Sequence, residues 1–411
     1  MKNWGKLLLV LSFVLFFSSC GKQEQAVAPE TTQVPEKKVV VTCAGDCTLG
    51  TDVNFGGNTL PVVAKQQEND YGYFFRNVAS IFSQDDLTMV NLEGTLSTRG
   101  EREEKTFAFR GKPEYVNILK EGSVEAVTLA NNHSMDYGEE SFSDTKEALR
   151  DAGIDYVYKE DVIVKEINGV KVGVIGLYDL DGSAEKTLET AMTKMKEAGA
   201  QVVIAQIHWG IEGENTPEGS QRALAKKIVD AGADLVIGHH PHVLQGIERY
   251  KGKYIVYSLG NFCFGGNQNP KDKDTLIFQQ TFRLDENDEL CMDDDYKLIP
   301  CSISSVSNAN NYQPTPLGGE DAERVIEKVK RFSRNFTESA LKFSVWQEDG
   351  LKIVDDATDL NNGERPAKGA DAETLENEEE TSAEKENRSE EKTVDGEKHK
   401  NTPEHRDVII L

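Results

Sequence analysis

None of the six cysteines forms a Cys-x-x-Cys pair, which argues against a zinc site built on thiolates. Positive charge is also scarce. The chain's 46 Lys and Arg stand against 71 Asp and Glu, giving a formal net charge of −25 and a sequence pI of about 4.8. A surface of that sign excludes nucleic acid and anionic membrane as electrostatic partners. Aromatic residues stop at Trp346. Beyond it Glu, Lys, Asn, Ser and Thr dominate, and such a composition cannot bury enough apolar area to offset the entropy of ordering. Residues 346–411 therefore read as an acidic, low-complexity, disordered tail. From Asp355 onward it holds 18 acidic and 8 basic residues, about −10 of the total charge.

The N-terminus carries an apolar run that is too short to cross a bilayer. Lys2 and Lys6 supply positive charge, Leu7 to Phe17 is apolar, and Ser18-Ser19-Cys20-Gly21 follows. That order is the pattern of an export leader. The small residues before Cys20 resemble a bacterial lipobox, with Phe17 where Leu is usual. The resemblance implies that residues 1–20 are a lipoprotein signal peptide and that Cys20 is the lipidated first residue of the mature chain. The protein is then expected outside the cell, anchored by acyl chains to the outer face of the cytoplasmic membrane. Residues 21–38, polar and holding Pro29 and Pro35, read as a flexible tether. The five other cysteines, Cys43, Cys47, Cys263, Cys291 and Cys301, are odd in number, so at least one is unpaired. Export permits disulfides, and Cys291 and Cys301 are placed to bridge a hairpin.

Histidine is rare, seven in 411 residues, and five of the seven sit where an apolar run ends. Leu235-Val-Ile237 reads as a buried strand that empties through Gly238 into His239-His240-Pro241-His242. Val202 to Ile207 ends in His208. Val124 to Ala130 runs into Asn131-Asn132-His133, with Asp136 three residues on. Two further apolar runs end in acids: Val39 to Ala44 in Gly45-Asp46, and Leu87 to Val90 in Asn91-Leu92-Glu93. Helical patterns over Ser143–Ala152, Glu185–Ala198 and Gln221–Asp230 alternate with these strands. Residues 39–345 therefore read as one α/β domain with a mostly parallel or mixed sheet. The carboxyl ends of strands in such a sheet share one rim, so ligands far apart in sequence can meet there.

The donors are Asp46, Glu93, Asn132, His208, His240 and His242. Oxygen and nitrogen ligation without thiolate suits manganese, iron, zinc or cobalt and does not choose among them. The number of donors exceeds what one tetrahedral ion needs and fits two divalent ions about 3.5–4 Å apart. Such a pair would bind phosphate or carboxylate. His133 is placed to pass a proton to a leaving oxygen, and Asp136 to orient its imidazole. Arg110, Lys112, His239 and Asn261 are candidate substrate contacts.

Gly45-Asp46, Asn91-Leu-Glu93, Ala130-Asn-Asn-His-Ser-Met-Asp-Tyr-Gly138, His208-Trp-Gly210, Gly238-His-His-Pro-His-Val243 with Gln245, and Ser258-Leu-Gly-Asn-Phe262 resemble, in order and spacing, the motifs of the CapA/PgsA capsule-synthesis family. The resemblance runs from about Val39 to Phe264. It implies a calcineurin-like metallophosphoesterase fold, a β-sandwich flanked by helices. It also implies the six metal ligands above, with His133 as the catalytic histidine. The implied role is poly-γ-glutamate capsule synthesis or export, with an anionic polymer as substrate and a membrane-bound synthase complex as partner. Two other readings stay open: a phosphoesterase acting on nucleotides or wall phosphates, and a non-catalytic accessory subunit. Metallophosphoesterases usually open with Asp-x-His; here Cys47-Thr48 follows Asp46. Glu93 stands in place of their bridging Asp, and Gly213 where the family usually has Tyr.

Overall fold

The computed structural model describes residues 36–292, 294–336, 341–347 and 350–354. The expected leader with Cys20, the expected tether up to residue 35 and the expected tail beyond residue 354 lie outside the described residues. The first part of the chain runs β1 (Lys38–Thr48), α1 (Leu60–Gln66), α2 (Ala79–Phe82), β2 (Leu87–Leu92), the short strands β3 (Thr95–Leu96) and β4 (Arg110–Gly111), α3 (Val116–Glu121), β5 (Ala126–Thr128), α4 (Gly138–Ala152) and β6 (Asp155–Val157). The second runs β7 (Val162–Ile167), β8 (Val170–Tyr178), α5 (Ala184–Ala198), β9 (Val202–His208), α6 (Gly219–Asp230), β10 (Leu235–His239), β11 (Ile247–Tyr250) and β12 (Lys253–Val256). The chain then returns through β13 (Asn261–Phe264), β14 (Asp274–Arg283), β15 (Tyr296–Ser302), β16 (Thr315–Pro316) and α7 (Gly319–Ser333). It continues to a hairpin of β17 (Phe343–Gln347) and β18 (Gly350–Val354).

Two mixed sheets result. One has the order β16-β15-β14-β1-β2-β5-β6, with β13 also beside β1; the other is β11-β12-β10-β9-β8-β7. Period-two alternation decides how they stack. Val39, Val41 and Cys43 of β1 face the same core as Val170, Val172 and Val174 of β8, Val202 and Ile204 of β9, and Leu235 and Ile237 of β10. That shared core lies between the sheets. The outer face of the first sheet (Val90, Leu92, Val127) packs on α1, α3 and α4 through Leu60, Ile118 and Leu149. The outer face of the second (Ile175, Val203, Val236) packs on α5 and α6 through Leu188 and Ile228. At about 1.5–3 kcal/mol for each fully buried aliphatic side chain, these three cores hold the sandwich. The architecture is α/β: a β-sandwich flanked by helices. Among the described residues no helix is long and apolar enough to cross a membrane.

The anticipated Cys291–Cys301 bridge does not form, and all five described cysteines are free thiols. Cys301 pairs with Thr275 at the start of β14, whereas the Cys291 N–H donates to Arg283 at its end. Eight residues of strand separate those points, about 27 Å at 3.4 Å per residue, far beyond the reach of a disulfide.

Candidate metal centre

The pairs β1/β2, β2/β5, β8/β9, β9/β10 and β10/β12 are all parallel. Their carboxyl ends therefore form a rim on each sheet. The Asp46 N–H donates to the Gly260 carbonyl at 3.0 Å. A Cβ on Gly45 would stand 2.0 Å from that oxygen, so only glycine lets β1 approach this closely while delivering the aspartate. Gly238 plays the same part in β10, where a Cβ would meet the Tyr257 carbonyl at 2.0 Å. Beyond it His240 and His242 take positive φ values of 97° and 57°. Non-glycine residues rarely adopt these, and such strain collects at functional sites.

The six expected ligands come together. Asp46, Glu93 and His208 are fully or almost fully buried, and His240 nearly so. Glu93, His208 and His240 place one donor atom each within 4.8 Å of one another, and so do Asp46, Glu93 and His242. Asn132 Oδ1 lies 2.8 Å from His208 Nε2. His242 Nδ1 lies 2.9 Å from Asn261 Oδ1 and 3.2 Å from Asp46 Oδ2, which leaves Nε2 directed at Glu93 Oε1, 3.6 Å away. Holding one ring nitrogen so that the other faces an ion is how metal-ligating histidines are oriented.

Four buried polar atoms decide what the cluster is built for. Both carboxylate oxygens of Glu93, Nδ1 of His208 and Nδ1 of His240 have no hydrogen-bond partner. A buried carboxylate left without donors is costly, and here it sits among imidazoles. Burial pushes the Glu93 carboxyl well above the usual carboxylate range, the neighbouring Asp46 charge adding to the rise against His242. Burial drives His208 well below the usual imidazole range and His240 down to about 3, each helped by a neighbouring histidine. Both imidazoles are thus neutral, the form that ligates metal. Burial alone would raise Asp46, but hydrogen bonds from His239 and His242 overcome it and hold the group well below its ordinary value. Burial would likewise lower His242, and the charges of Glu93 and Asp46 reverse that, lifting it to about 10. A divalent ion bound by nitrogen and oxygen would satisfy the orphaned Glu93 oxygens, with His208 meeting it through the Nε2 that faces Asn132 and Glu93, and would offset the crowded charge. The residues present therefore fit a metal.

His133 lies beside this cluster. Its Nδ1 is 2.7 Å from Asp136 Oδ2, and its ring lies tilted against that of Phe109, the centroids 4.5 Å apart. Burial lowers its pKa against the pull of Asp136. Asp136 is fixed in turn, by the Phe109 N–H on one oxygen and by Lys105 Nζ at 2.7 Å on the other. Lys105 also donates to the Asn132 carbonyl at 2.9 Å. This lysine gives no signal in the sequence, because it falls in the charged stretch Glu101–Lys105 with no strand before it.

The four expected substrate contacts are placed differently. Asn261 clasps His242, with Nδ2 also donating to its carbonyl at 3.2 Å. His239 is 1% exposed, with Nδ1 3.1 Å from Asp46 Oδ1 and Nε2 2.6 Å from Gln206 Oε1. As the last residue of β10 it shares the inward parity of Leu235 and Ile237, so it braces Asp46 from inside the sandwich. Arg110 lies over the Tyr137 ring at 3.9 Å and donates to the Arg99 and Gly100 carbonyls. Lys112 pairs at the surface with Glu114 at 3.3 Å. Asn91 and Asn131, outside the expected site residues, brace the cluster from behind. Asn91 Nδ2 donates to Asp46 Oδ1 at 2.9 Å, and Asn131 Nδ2 donates to Asn91 Oδ1 at 2.9 Å.

Residues 40–266 match the family model described as "Bacterial capsule synthesis protein PGA_cap". The chain is similar to "Capsule biosynthesis protein CapA" of Bacillus anthracis, with 30% identity over 84% of this chain and 85% of that one. It is similar to "PGA biosynthesis protein CapA" of Bacillus subtilis, with 28% identity over 84% of this chain and 92% of that protein. A relative from Mycobacterium tuberculosis, named "Probable polyglutamine synthesis accessory protein", is 26% identical over 61% of this chain and 73% of its own length.

Proposed function

Because the chain belongs to the bacterial capsule synthesis protein family PGA_cap, we propose that it acts in the synthesis or export of a capsular poly-γ-glutamate. It would work through a two-metal centre that binds or hydrolyses anionic groups. The observation that carries this reading is the Glu93 carboxylate, buried without a hydrogen-bond donor among His208, His240 and His242. Glu93 belongs to both ligand groups, so it would serve as a ligand in each. His208, His240 and Asn132 would complete one site, and Asp46 and His242 the other. When bound, the ions would polarise a carboxylate, amide or phosphoryl oxygen as Lewis acids. The chain's own part is to hold His133 beside the substrate as a proton donor, its imidazole fixed by Asp136 and that carboxylate fixed by Lys105.

The leader supports the accompanying proposal of place. An exported chain carrying acyl groups on Cys20 works at the outer face of the cytoplasmic membrane, where a nascent capsular polymer emerges. A membrane-bound synthase is then the natural partner. Metal analysis of the purified chain, paired with polymer output in cells carrying Glu93→Gln or His208→Ala, tests the reading. Two equivalents of a divalent metal and loss of polymer in both variants are expected. Full polymer output from a metal-free variant would overturn the catalytic role and leave the accessory one. Turnover of model phosphodiesters without any change in capsule would favour the phosphoesterase.

A further inference from the structure

The loop that follows β9 carries a further carboxylate. Glu212 lies four residues beyond His208 and is half-buried. Glu212, His240 and His242 bring one donor atom each within 4.8 Å of one another. His240 is also a member of the group with Glu93 and His208, and its buried Nδ1 has no protein partner.

The Glu212 loop is tied firmly to the three-histidine loop. The Gly213 N–H donates to the Pro241 carbonyl at 2.8 Å, Gln245 Nε2 to the Glu214 carbonyl at 2.7 Å, and Asn215 Nδ2 to the Leu244 carbonyl at 3.0 Å. Gln245 is itself held by Gln221 Nε2 at 3.2 Å. Gly210 and Gly213, with φ of 82° and 77°, make the turns that bring the carboxylate round. A solvated surface carboxylate needs no such support, whereas a ligand held at a fixed distance does.

We propose that Glu212 is a metal donor on the open side of the centre, acting with His240 and His242. This rests on the metal-binding reading above and extends it. A third carboxylate beside Asp46 and Glu93 leaves two divalent ions with a single net positive charge. The centre then favours a monoanion, such as a carboxylate or a phosphodiester, over a dianionic phosphate monoester.

The test is calorimetric titration of the purified full-length chain with Mn²⁺, for the wild type, Glu212→Gln, Glu212→His and the neighbouring control Glu214→Gln. The wild type is expected to take up two ions. Glu212→Gln is expected to weaken one of them about 10–100-fold, the scale on which even supporting residues act. Glu212→His, which keeps a donor atom, is expected to recover much of that loss, and Glu214→Gln to match the wild type. Wild-type binding by Glu212→Gln, or an equal loss in Glu212→His, would overturn the proposal while leaving the centre intact. A wild type that binds no ion would overturn the centre and this proposal together. Melting points of the metal-free proteins are expected to coincide, and a drop confined to Glu212→Gln would make the carboxylate structural and overturn its role as a donor.

Discussion

Glu93 Oε1, just past the end of β2 in one sheet, lies 3.6 Å from His242 Nε2, which follows β10 in the other. The sandwich therefore closes at its rim on a carboxylate and an imidazole within ion-pair distance of each other. Without an ion the carboxylate has no hydrogen-bond partner and is destabilising where it stands. Glu93→Gln is accordingly expected to leave the metal-free protein at least as stable as the wild type. It should also abolish metal-dependent stabilisation, about 2.7 kcal/mol for ligand at a hundred times its dissociation constant. Thermal melts with EDTA and with Mn²⁺ separate the two effects. A metal-dependent rise retained in Glu93→Gln would remove Glu93 from the ligand set.

The thiols give an independent check of the sandwich. Cys43, Cys47, Cys263 and Cys301 are buried, and burial raises the pKa of each. Among the described cysteines only Cys291 is partly exposed. Ellman's reagent is expected to titrate one fast thiol in the native chain with Cys20 replaced by Ser, and five after denaturation. Replacing Cys291 should remove the fast phase. A native count of three or more would mean that strands β1, β13 and β15 are not covered as described.

The parts of this protein legible in sequence were those in which residue type and position carried one message. The runs Val39–Ala44, Leu87–Val90, Val202–Ile207 and Leu235–Ile237 are apolar because both faces of each strand are covered, and each stops at a ligand because the rim is where the chain leaves the sheet. β7 was not legible. It is an edge strand with Lys165 and Glu166 exposed, so its pattern is that of a surface loop. Helix α4 begins at Gly138, five residues before its amphipathic pattern becomes clear, because the His133 turn leads straight into it. His239 was legible in principle, since its spacing from Leu235 and Ile237 puts it on the inward face. Lys105 and Glu212 were not, because loops bring them to the site and loop geometry leaves no period in the sequence.

At the far end of the first sheet, Asp85 precedes β2 among Asp86, Glu125, Thr42 and Thr88. Burial lifts its pKa to about 7, the charges of Glu125 and Asp86 adding to the rise and hydrogen bonds from Thr42 and Thr88 opposing it. A carboxyl whose pKa is raised on folding binds its proton more tightly in the folded state. Its contribution is favourable at low pH and is lost as pH rises from the unfolded value near 4 through about 7. Asp85→Asn is therefore expected to stabilise the protein at pH 8, by about 1–2 kcal/mol after discounting for partial exposure. It should change nothing at pH 4. Urea melts of both proteins at the two pH values measure this, and equal stability at pH 8 would count against the shift.

Lys105 and His133 meet on Asp136, one on each carboxylate oxygen, 2.7 Å away in both cases. The lysine therefore fixes the carboxylate that fixes the imidazole. Its charge also lies 3.4 Å from His133 Nδ1 and adds to the burial that lowers the pKa of the ring. If the centre is catalytic, His133→Asn should lower polymer output by the two to four orders of magnitude that a general acid supplies, with bound metal unchanged. Lys105→Met should cost less, because Asp136 keeps the Phe109 N–H, and its effect should disappear in a His133→Asn background, since it acts through that ring. Metal analysis and polymer assays on the single and double variants measure the coupling. Additive losses would mean that Lys105 touches the substrate directly, and full polymer output from His133→Asn would leave the chain with a non-catalytic role.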